Sequence, residues 1–239
     1  MKAHPKRPAR AEEPAAPPPA TVRRRILLVD DHPFMRAGLA QLIDRQADLT
    51  VCGEAGNPAE AIQAIARTRP DLVLTDLTMP GRSGLEFIKD LLAAESKRLV
   101  LVVSMHDELV YAERALRAGA RGYIMKEAGG ENLLAAIRQV LHGEVYVSPK
   151  MSARILEGMS GTRPRGSNSP IAELTDREFE VFQLIGQGRS TRDIASQLHL
   201  SPKTVDVHRG HIREKLELKD TTALIRHAVR WVETQGRGA

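Results

Sequence analysis

Ile26-Leu27-Leu28-Val29-Asp30-Asp31-His32-Pro33 decides how the chain is read. Four consecutive apolar residues suit a strand covered on both faces, which is the condition of a parallel sheet lined by helices. Short apolar runs of the same kind recur at Val51–Gly53, Leu72–Leu74, Leu99–Val103 and Tyr123–Ile124. Between them apolar residues fall at helical spacing: Leu39, Leu42 and Ile43; Ala61, Ile62 and Ile65; Leu85, Ile88, Leu91 and Leu92; Leu109, Ala112, Ala115 and Leu116; Leu133, Leu134, Ile137 and Leu141. Five strand–helix units in succession predict an α/β fold, a five-stranded doubly wound parallel sheet with right-handed crossovers.

Strands then stop. Residues 159–170, Met-Ser-Gly-Thr-Arg-Pro-Arg-Gly-Ser-Asn-Ser-Pro, break any periodic pattern and read as linker. Beyond them Thr175 with Glu178 forms a capping-box pattern ahead of Phe179, Phe182, Leu184 and Ile185. A short helix is predicted over 191–198. Ser201-Pro202 opens another, running to about Leu216, and a last helix spans 221–234. The expected organisation is a disordered basic tail over 1–23, an α/β domain over 24–148, a linker over 149–171 and a small all-α four-helix domain over 172–239.

Composition agrees. The chain has 239 residues, comfortable for two domains, and 42% are apolar. Aromatics are 3%, so the core must be aliphatic. One cysteine excludes an internal disulfide framework and fits a reducing, cytoplasmic setting, with Cys52 expected as a small buried apolar group. No apolar run reaches the ~20 residues that span a bilayer, so no membrane role is expected. The net charge of +5 suggests an acidic partner such as nucleic acid, but it is unevenly placed. Residues 1–25 carry +5, 26–150 carry −3, 151–170 carry +2 and 171–239 carry +1.

The acidic segment carries its own chemistry. In an open α/β sheet, function gathers at the carboxyl ends of strands, at the switch point of strand order. Asp30 and Asp31 end the first strand, Asp76 follows the third, Ser104 ends the fourth and Lys126 follows the fifth. With strand order 2-1-3-4-5, Asp31 and Asp76 converge. Clustered carboxylates repel, and Mg2+ with its preference for oxygen ligands compensates them. A carboxylate nucleophile, a metal, a hydroxyl and an ammonium are the parts needed for phosphoryl transfer to an aspartate.

These motifs resemble the receiver domain of bacterial response regulators, a flavodoxin-like fold. The matching text is Ile26-Leu-Leu-Val-Asp30-Asp31-His32-Pro33, Asp71-Leu-Val-Leu-Thr-Asp76-Leu-Thr-Met-Pro80-Gly81, Val103-Ser104-Met105-His106 and Gly122-Tyr-Ile-Met-Lys126. The resemblance implies Asp76 as phosphoacceptor, with Asp30, Asp31, Asp76 and the Thr78 carbonyl holding Mg2+ and no organic cofactor. It further implies Ser104 and Tyr123 as the switch pair, Lys126 as partner of the phosphoryl group, and Thr78 and His106 as tuners of phosphate lifetime. Glu127 stands where many receivers carry proline.

Two helices joined by a tight turn, the second opened by Ser201-Pro202, fit a helix-turn-helix. On the second helix Val205, Ile212 and Leu216 are expected in the core, while basic residues reach phosphates. Residues 174–228 resemble the LuxR-type helix-turn-helix of the NarL/FixJ family, which joins just such a receiver to just such a domain. The resemblance puts Pro202–Leu216 in the major groove. Asp206, Val207 and Gly210 would face base edges, and Lys203, Thr204, His208, Arg209 and Lys215 the backbone. Leu224, Ile225 and Val229 are candidates for a pairing face on the last helix. The implied function is a two-component response regulator, a transcription factor controlled by phosphorylation of Asp76 by a sensor histidine kinase, dimeric on double-stranded DNA and not a turnover enzyme. Two alternatives are a DNA-binding regulator whose unphosphorylated receiver only dimerises, and an aspartyl-phosphate phosphatase. The phosphatase signature Asp-x-Asp is not matched by Asp30-Asp31-His32.

Overall fold

The structure, a computed structural model, describes residues 23–79, 83–159 and 170–236. Residues 1–22 of the tail expected over 1–23, most of the 159–170 breaker segment, and Pro80 and Gly81 lie outside the described residues. Strands β1 (Arg24–Val29), β2 (Leu49–Ala55), β3 (Leu72–Thr75), β4 (Leu99–Ser104) and β5 (Gly122–Met125) form one all-parallel sheet in the order β2-β1-β3-β4-β5. Helices α1 (Pro33–Asp44), α2 (Pro58–Thr68), α3 (Gly84–Ala94), α4 (Glu108–Arg117) and α5 (Gly130–Leu141) alternate with them.

Every strand run found in the sequence is present, and each is longer in the structure. β2 extends furthest because it is a sheet edge, where polar Thr50 and Glu54 can remain in the strand while only Leu49 and Ala55 are buried. Its register against β1 slips between Ile26 and Leu27, which pair with Val51 and Gly53. Cys52 is therefore the extra residue of a bulge, and it is half-buried rather than buried. The opposite edge, β5, is covered. Tyr123 donates its backbone N–H to the Tyr146 carbonyl at 2.9 Å, and Tyr146 donates to the Arg121 carbonyl at 3.0 Å.

Each face of the sheet has its own aliphatic cluster. Ile26, Leu28, Leu72, Leu74, Leu101 and Val103 pack under α1 and α5. Leu27, Val29, Val73, Val100 and Val102 pack under α2, α3 and α4. This second cluster continues without a break into the C-terminal domain, through Tyr111 to Phe179, Phe182 and Ile185. That domain contains α7 (Asp176–Gly186), α8 (Thr191–Gln197), α9 (Pro202–Lys215) and α10 (Thr221–Gly236). Thr175 and Glu178 cap α7 reciprocally as the sequence predicts, and Ser190 with Asp193 does the same for α8.

The region 149–171 is not all linker. Pro149–Met159 forms helix α6, which packs on α4 with Met151 buried. Ser148 stabilises its start, donating its hydroxyl to Glu108 at 2.5 Å and accepting the Met151 backbone N–H at 3.1 Å.

The β3–α3 connection returns so closely on itself that a side chain is excluded at the first residue of α3. A Cβ on Gly84 would lie 2.4 Å from the Leu77 Cα and 2.5 Å from its carbonyl oxygen. Gly38, inside α1, has open space around the same position. Gly84→Ala is therefore expected to lower stability by about 1–3 kcal/mol through forced backbone displacement. Gly38→Ala should raise it by about 0.5–1 kcal/mol from helix propensity. Urea denaturation midpoints measure both, and equal midpoints would refute the packing account.

Candidate functional site

Strand register assembles the acidic site. Val29 is the partner of Thr75 across β1 and β3, so the next residues, Asp30 and Asp76, lie side by side. Backbone bonds fix them: the Asp76 N–H donates to the Val29 carbonyl at 2.8 Å, and the Asp30 N–H to the Ala55 carbonyl at 3.1 Å. Ser104 is likewise the partner of Met125, which places Lys126 at the same end of the sheet. One ligand atom from each of Asp30, Asp31, His32 and Asp76 falls within 4.8 Å of all the others.

Lys126 stands between two of these carboxylates. Its Nζ lies 2.6 Å from Asp30 Oδ2 and 2.6 Å from Asp76 Oδ2. Burial alone would lower the pKa of this ammonium. The charge of Asp76 and hydrogen bonds to Asp30 and Asp76 outweigh burial and raise it. Asp76 Oδ1 accepts the Leu77 backbone N–H at 2.6 Å. Asp31 Oδ1 is different: buried and without a hydrogen bond among the described residues, it has only His32 Nδ1 beside it, at 2.7 Å. A carboxylate oxygen left in that state is costly unless a cation reaches it. Oxygen donors at this spacing fit a hard divalent ion, whose opposite ligands stand about 4 Å apart. The residues present can therefore hold a metal.

The residues expected to respond at this site are connected. Ser104 is fully buried and its Oγ accepts the His106 backbone N–H at 3.3 Å. Tyr123 is also fully buried, and its hydroxyl donates to the His106 carbonyl at 2.7 Å. Thr78 Oγ1 and His106 Nε2 are 2.6 Å apart. Burial, with a smaller opposing effect from Asp76, lowers the His106 pKa, so its ring is held toward the neutral form. Glu127, in the position noted for proline, lies in a 3-10 turn over Lys126–Ala128.

In the C-terminal domain α8 and α9 form the helix-turn-helix. Ser201 caps α9 by accepting the Thr204 backbone N–H at 3.0 Å, with Pro202 at the first helical position. Val205, Ile212 and Leu216 are buried as expected. Lys203 and Asp206 are exposed, Val207 is 49% exposed, and Thr204, His208, Arg209 and Gly210 are half-buried. Arg209 donates to the Thr191 hydroxyl at 2.7 Å, tying α9 to α8. His208 Nδ1 is buried without a hydrogen-bond partner among the described residues. Lys215 is committed within the domain, its Nζ 2.6 Å from Glu178 Oε2. On α10, Leu224 belongs to the core, while Ile225 is 42% exposed and Val229 half-buried.

A contact between the two domains, absent from the sequence reading, joins the sites. The Arg114 guanidinium of α4 donates to the Ile171 carbonyl at 2.8 Å, lies 3.3 Å from Asp176 Oδ1 and stacks 3.8 Å over the Phe179 ring. Lys89 Nζ reaches Asp176 Oδ2 at 2.7 Å, and the Ser83 hydroxyl donates to Glu180 Oε1 at 2.8 Å. Burial raises the Glu180 pKa against the opposing effect of Arg177. Tyr111 is buried at the centre, its hydroxyl donating to Gln183 and its ring 4.6 Å from His106 and 5.5 Å from Phe179. Phe179 in turn meets Trp231 of α10 at 5.5 Å. The partners that meet across the two domains are all more than 50 residues apart in sequence, and no local pattern marks them.

The Glu178–Lys215 pair yields a prediction with a definite sign. Burial opposes ionisation of Glu178, but Lys215 and Thr175 outweigh it and hold the carboxyl below its ordinary value of 4.5. The pair's stabilisation is therefore complete above that pH and is lost as pH falls through the lowered folded value. Lys215→Met should lower the melting temperature near neutrality, with the difference from wild type shrinking below about pH 4.5. The same variant should leave the salt dependence of DNA binding unchanged, whereas exposed Lys203→Ala should reduce its slope by about 0.9. A reduced slope in Lys215→Met would instead put that ammonium on a phosphate.

Residues 26–138 match the response regulator receiver domain, and residues 172–228 match the luxR family of bacterial regulatory proteins. The oxygen regulatory protein NreC of Staphylococcus carnosus (strain TM300) is 34% identical over 210 residues, covering 86% of this chain and 97% of that protein. NreC of Staphylococcus aureus (strain USA300) is 36% identical over the same shares. Among solved structures, a two-component response regulator of the LuxR family from Aurantimonas sp. SI85-9A1 aligns with a TM-score of 0.55 at 35% identity, over 58% of this chain and 99% of that one. RcsB from Salmonella enterica serovar Typhimurium, bound to promoter rprA in the presence of phosphomimetic BeF3-, shares the fold at a TM-score of 0.59 and 22% identity, over 87% and 99%. With a receiver and a LuxR-type DNA-binding domain in one chain, aligned with NreC over most of its length, the protein belongs to the NarL/FixJ family of two-component response regulators.

Proposed function

We propose that this regulator takes a phosphoryl group on Asp76 from a sensor histidine kinase, and that this controls its binding to double-stranded DNA. The observation that carries the reading is the continuous path from the Asp76–Lys126 pair, through Thr78, His106 and Tyr111, to the first helix of the DNA-binding domain. Asp76 forms the new O–P bond as the bond from phosphorus to the donor breaks, without turnover of a small substrate. Mg2+, the proposed ion, supplies charge compensation for the phosphoryl oxygens. Asp30, Asp31, Asp76 and the Thr78 carbonyl would hold it. Lys126 sits against Asp76 where it can pair with a phosphoryl oxygen, and the buried Ser104 hydroxyl offers a further donor.

A doubly charged group on Asp76 changes the balance around Lys126 and Thr78. Thr78 carries the disturbance to His106, and His106 to Tyr111, the centre of the domain contact. Release of that contact frees α7 and the end of α10 on which Trp231 lies. A free C-terminal domain then pairs through Ile225 and Val229 of α10 and binds two half-sites, about 34–36 Å apart for adjacent turns of the duplex. RcsB, which shares the fold at 23% identity, is seen as dimers bound to DNA. On α9, Val207 would meet a thymine methyl and Asp206 a cytosine amino group. Lys203, Thr204, His208 and Arg209 would hold the backbone.

Incubation with acetyl phosphate and a divalent ion should add one phosphoryl mass to the wild type and none to Asp76→Asn; labelling of the variant would overturn the acceptor assignment. The single tryptophan, Trp231, reports on the domain contact, so phosphorylation should shift its emission to the red in wild type alone. Arg114→Ala, which removes the guanidinium from Asp176 and Phe179, should raise DNA affinity without phosphorylation by about ten-fold. Unchanged emission and unchanged affinity in a labelled protein would show that this contact does not gate DNA binding.

A further inference from the structure

We propose that Gly210 is a specificity-determining residue: it leaves a notch in the outer surface of α9 that admits the 5-methyl group of a thymine against the helix backbone, beside Val207. The inference rests on the reading that α9 enters the major groove, and it names what the middle of that helix selects there. Gly210 stands inside α9, more than one turn from either end. A glycine in such a position weakens a helix relative to alanine, so its presence asks for a reason. At Gly186, the last residue of α7, the reason is internal. A Cβ there would lie 2.5 Å from the Ala228 carbonyl oxygen and 2.6 Å from the Val232 side chain. At Gly210 no atom beyond the helix's own backbone comes within 4 Å of the place a Cβ would take.

Gly38 has the same open space, so openness alone decides nothing; the surface around Gly210 does. Val207 precedes it by one turn and is 49% exposed. Among the described residues of the C-terminal domain, Val207 and Ile225 are the large apolar side chains left exposed, and only Val207 is on α9. Asp206 and Val207, four and three residues before Gly210, share its side of the helix. None of the three side chains donates a hydrogen bond, and exposed Glu214, a turn beyond, adds only acceptors. Guanine shows the acceptors O6 and N7 in the major groove, so these positions offer it nothing. Thymine shows a methyl group, which asks only for space and an apolar neighbour. Gly210 provides the space and Val207 the neighbour. An alanine Cβ at position 210 would fill the notch and hold the helix away from the base edge.

Full-length protein incubated with acetyl phosphate and Mg2+ selects a binding site from a random-sequence duplex library. Uracil then replaces each thymine of the selected duplex in turn, which removes only the 5-methyl group. In wild type, replacement at one thymine of each half-site should weaken binding about four-fold, the fold-change for one methyl group withdrawn from contact. Gly210→Ala should lower the ratio of specific to non-specific affinity by about ten-fold or more and lose the response to uracil. Its melting temperature should rise by about 2–6 °C, which separates loss of recognition from loss of fold. A selected site whose thymines all tolerate uracil, a response that persists in Gly210→Ala, or a variant that melts lower overturns the notch and leaves DNA binding standing. Wild type that enriches no sequence overturns the reading of α9 and the proposal together.

Discussion

Repulsion among three carboxylates at one end of a sheet is the constraint on which the receiver depends. Asp30 and Asp76 are both buried, and two such charges side by side would oppose folding if left alone. Lys126 answers this by standing 2.6 Å from each. Its position follows from β5 pairing with β4, and the position of the aspartates from β1 pairing with β3. The strand order is therefore the means by which charges distant in sequence are brought together and balanced. The balance is local and incomplete, since the third carboxylate keeps a buried oxygen that accepts no hydrogen bond among the described residues and has only the His32 ring nitrogen beside it. A site left short of positive charge is ready to accept a cation, and its answer to an added phosphoryl group must pass through the lysine and the adjoining loop.

That loop connects chemistry to architecture. Thr78 is two residues from Asp76 and touches His106 at the end of β4; His106 stacks on Tyr111 in α4. Beyond Tyr111 the path leaves the receiver and enters Phe179 and Trp231. In a chain with 3% aromatic residues, five of the eight lie along this route or beside it: Tyr111, Tyr123, Phe179, Phe182 and Trp231. The aliphatic core has little need of them. The rings along the route sit edge-on or tilted against one another.

The sheet was legible because each strand is buried on both faces and therefore appears as an unbroken apolar run. Its active end followed from the aspartates that close two of those runs, given the strand order 2-1-3-4-5. The extent of β2 was not legible, because an edge strand tolerates polar residues that interrupt the run. Helix α6 was obscured by proximity to a cluster of glycine, serine and proline, although Met151 and Ile155 stand at helical spacing and both pack on the core. The capping box of α7 and the buried face of α9 could be read, since both depend on residues three to seven apart. The pairing of Lys215 with Glu178 could not be read, because Glu178 lies on another helix. The domain contact was hidden for the same reason at greater distance. Arg114 and Asp176 are ordinary charged residues on helix surfaces until the fold sets them 3.3 Å apart.

The chemistry of that contact suits a switch better than a permanent joint. Its centre is apolar, with Tyr111 and Phe179, but its rim is ionic: Arg114, Lys89 and Asp176, then Ser83 with Glu180. Desolvation offsets much of the attraction in such pairs, and burial lowers the pKa of Arg114 and raises that of Glu180. A net stability near the balance point is what reversible control requires. Moving a two-state equilibrium from 1:99 to 99:1 takes about 5.5 kcal/mol of differential interaction. A wholly apolar joint of the same extent would be harder to open, while a contact in which buried ions oppose their own desolvation can be released by a modest change at His106 and Tyr111. The net charge fits the same logic. The C-terminal domain is only +1, so a hold on DNA relies on where the basic residues of α9 stand rather than on net charge.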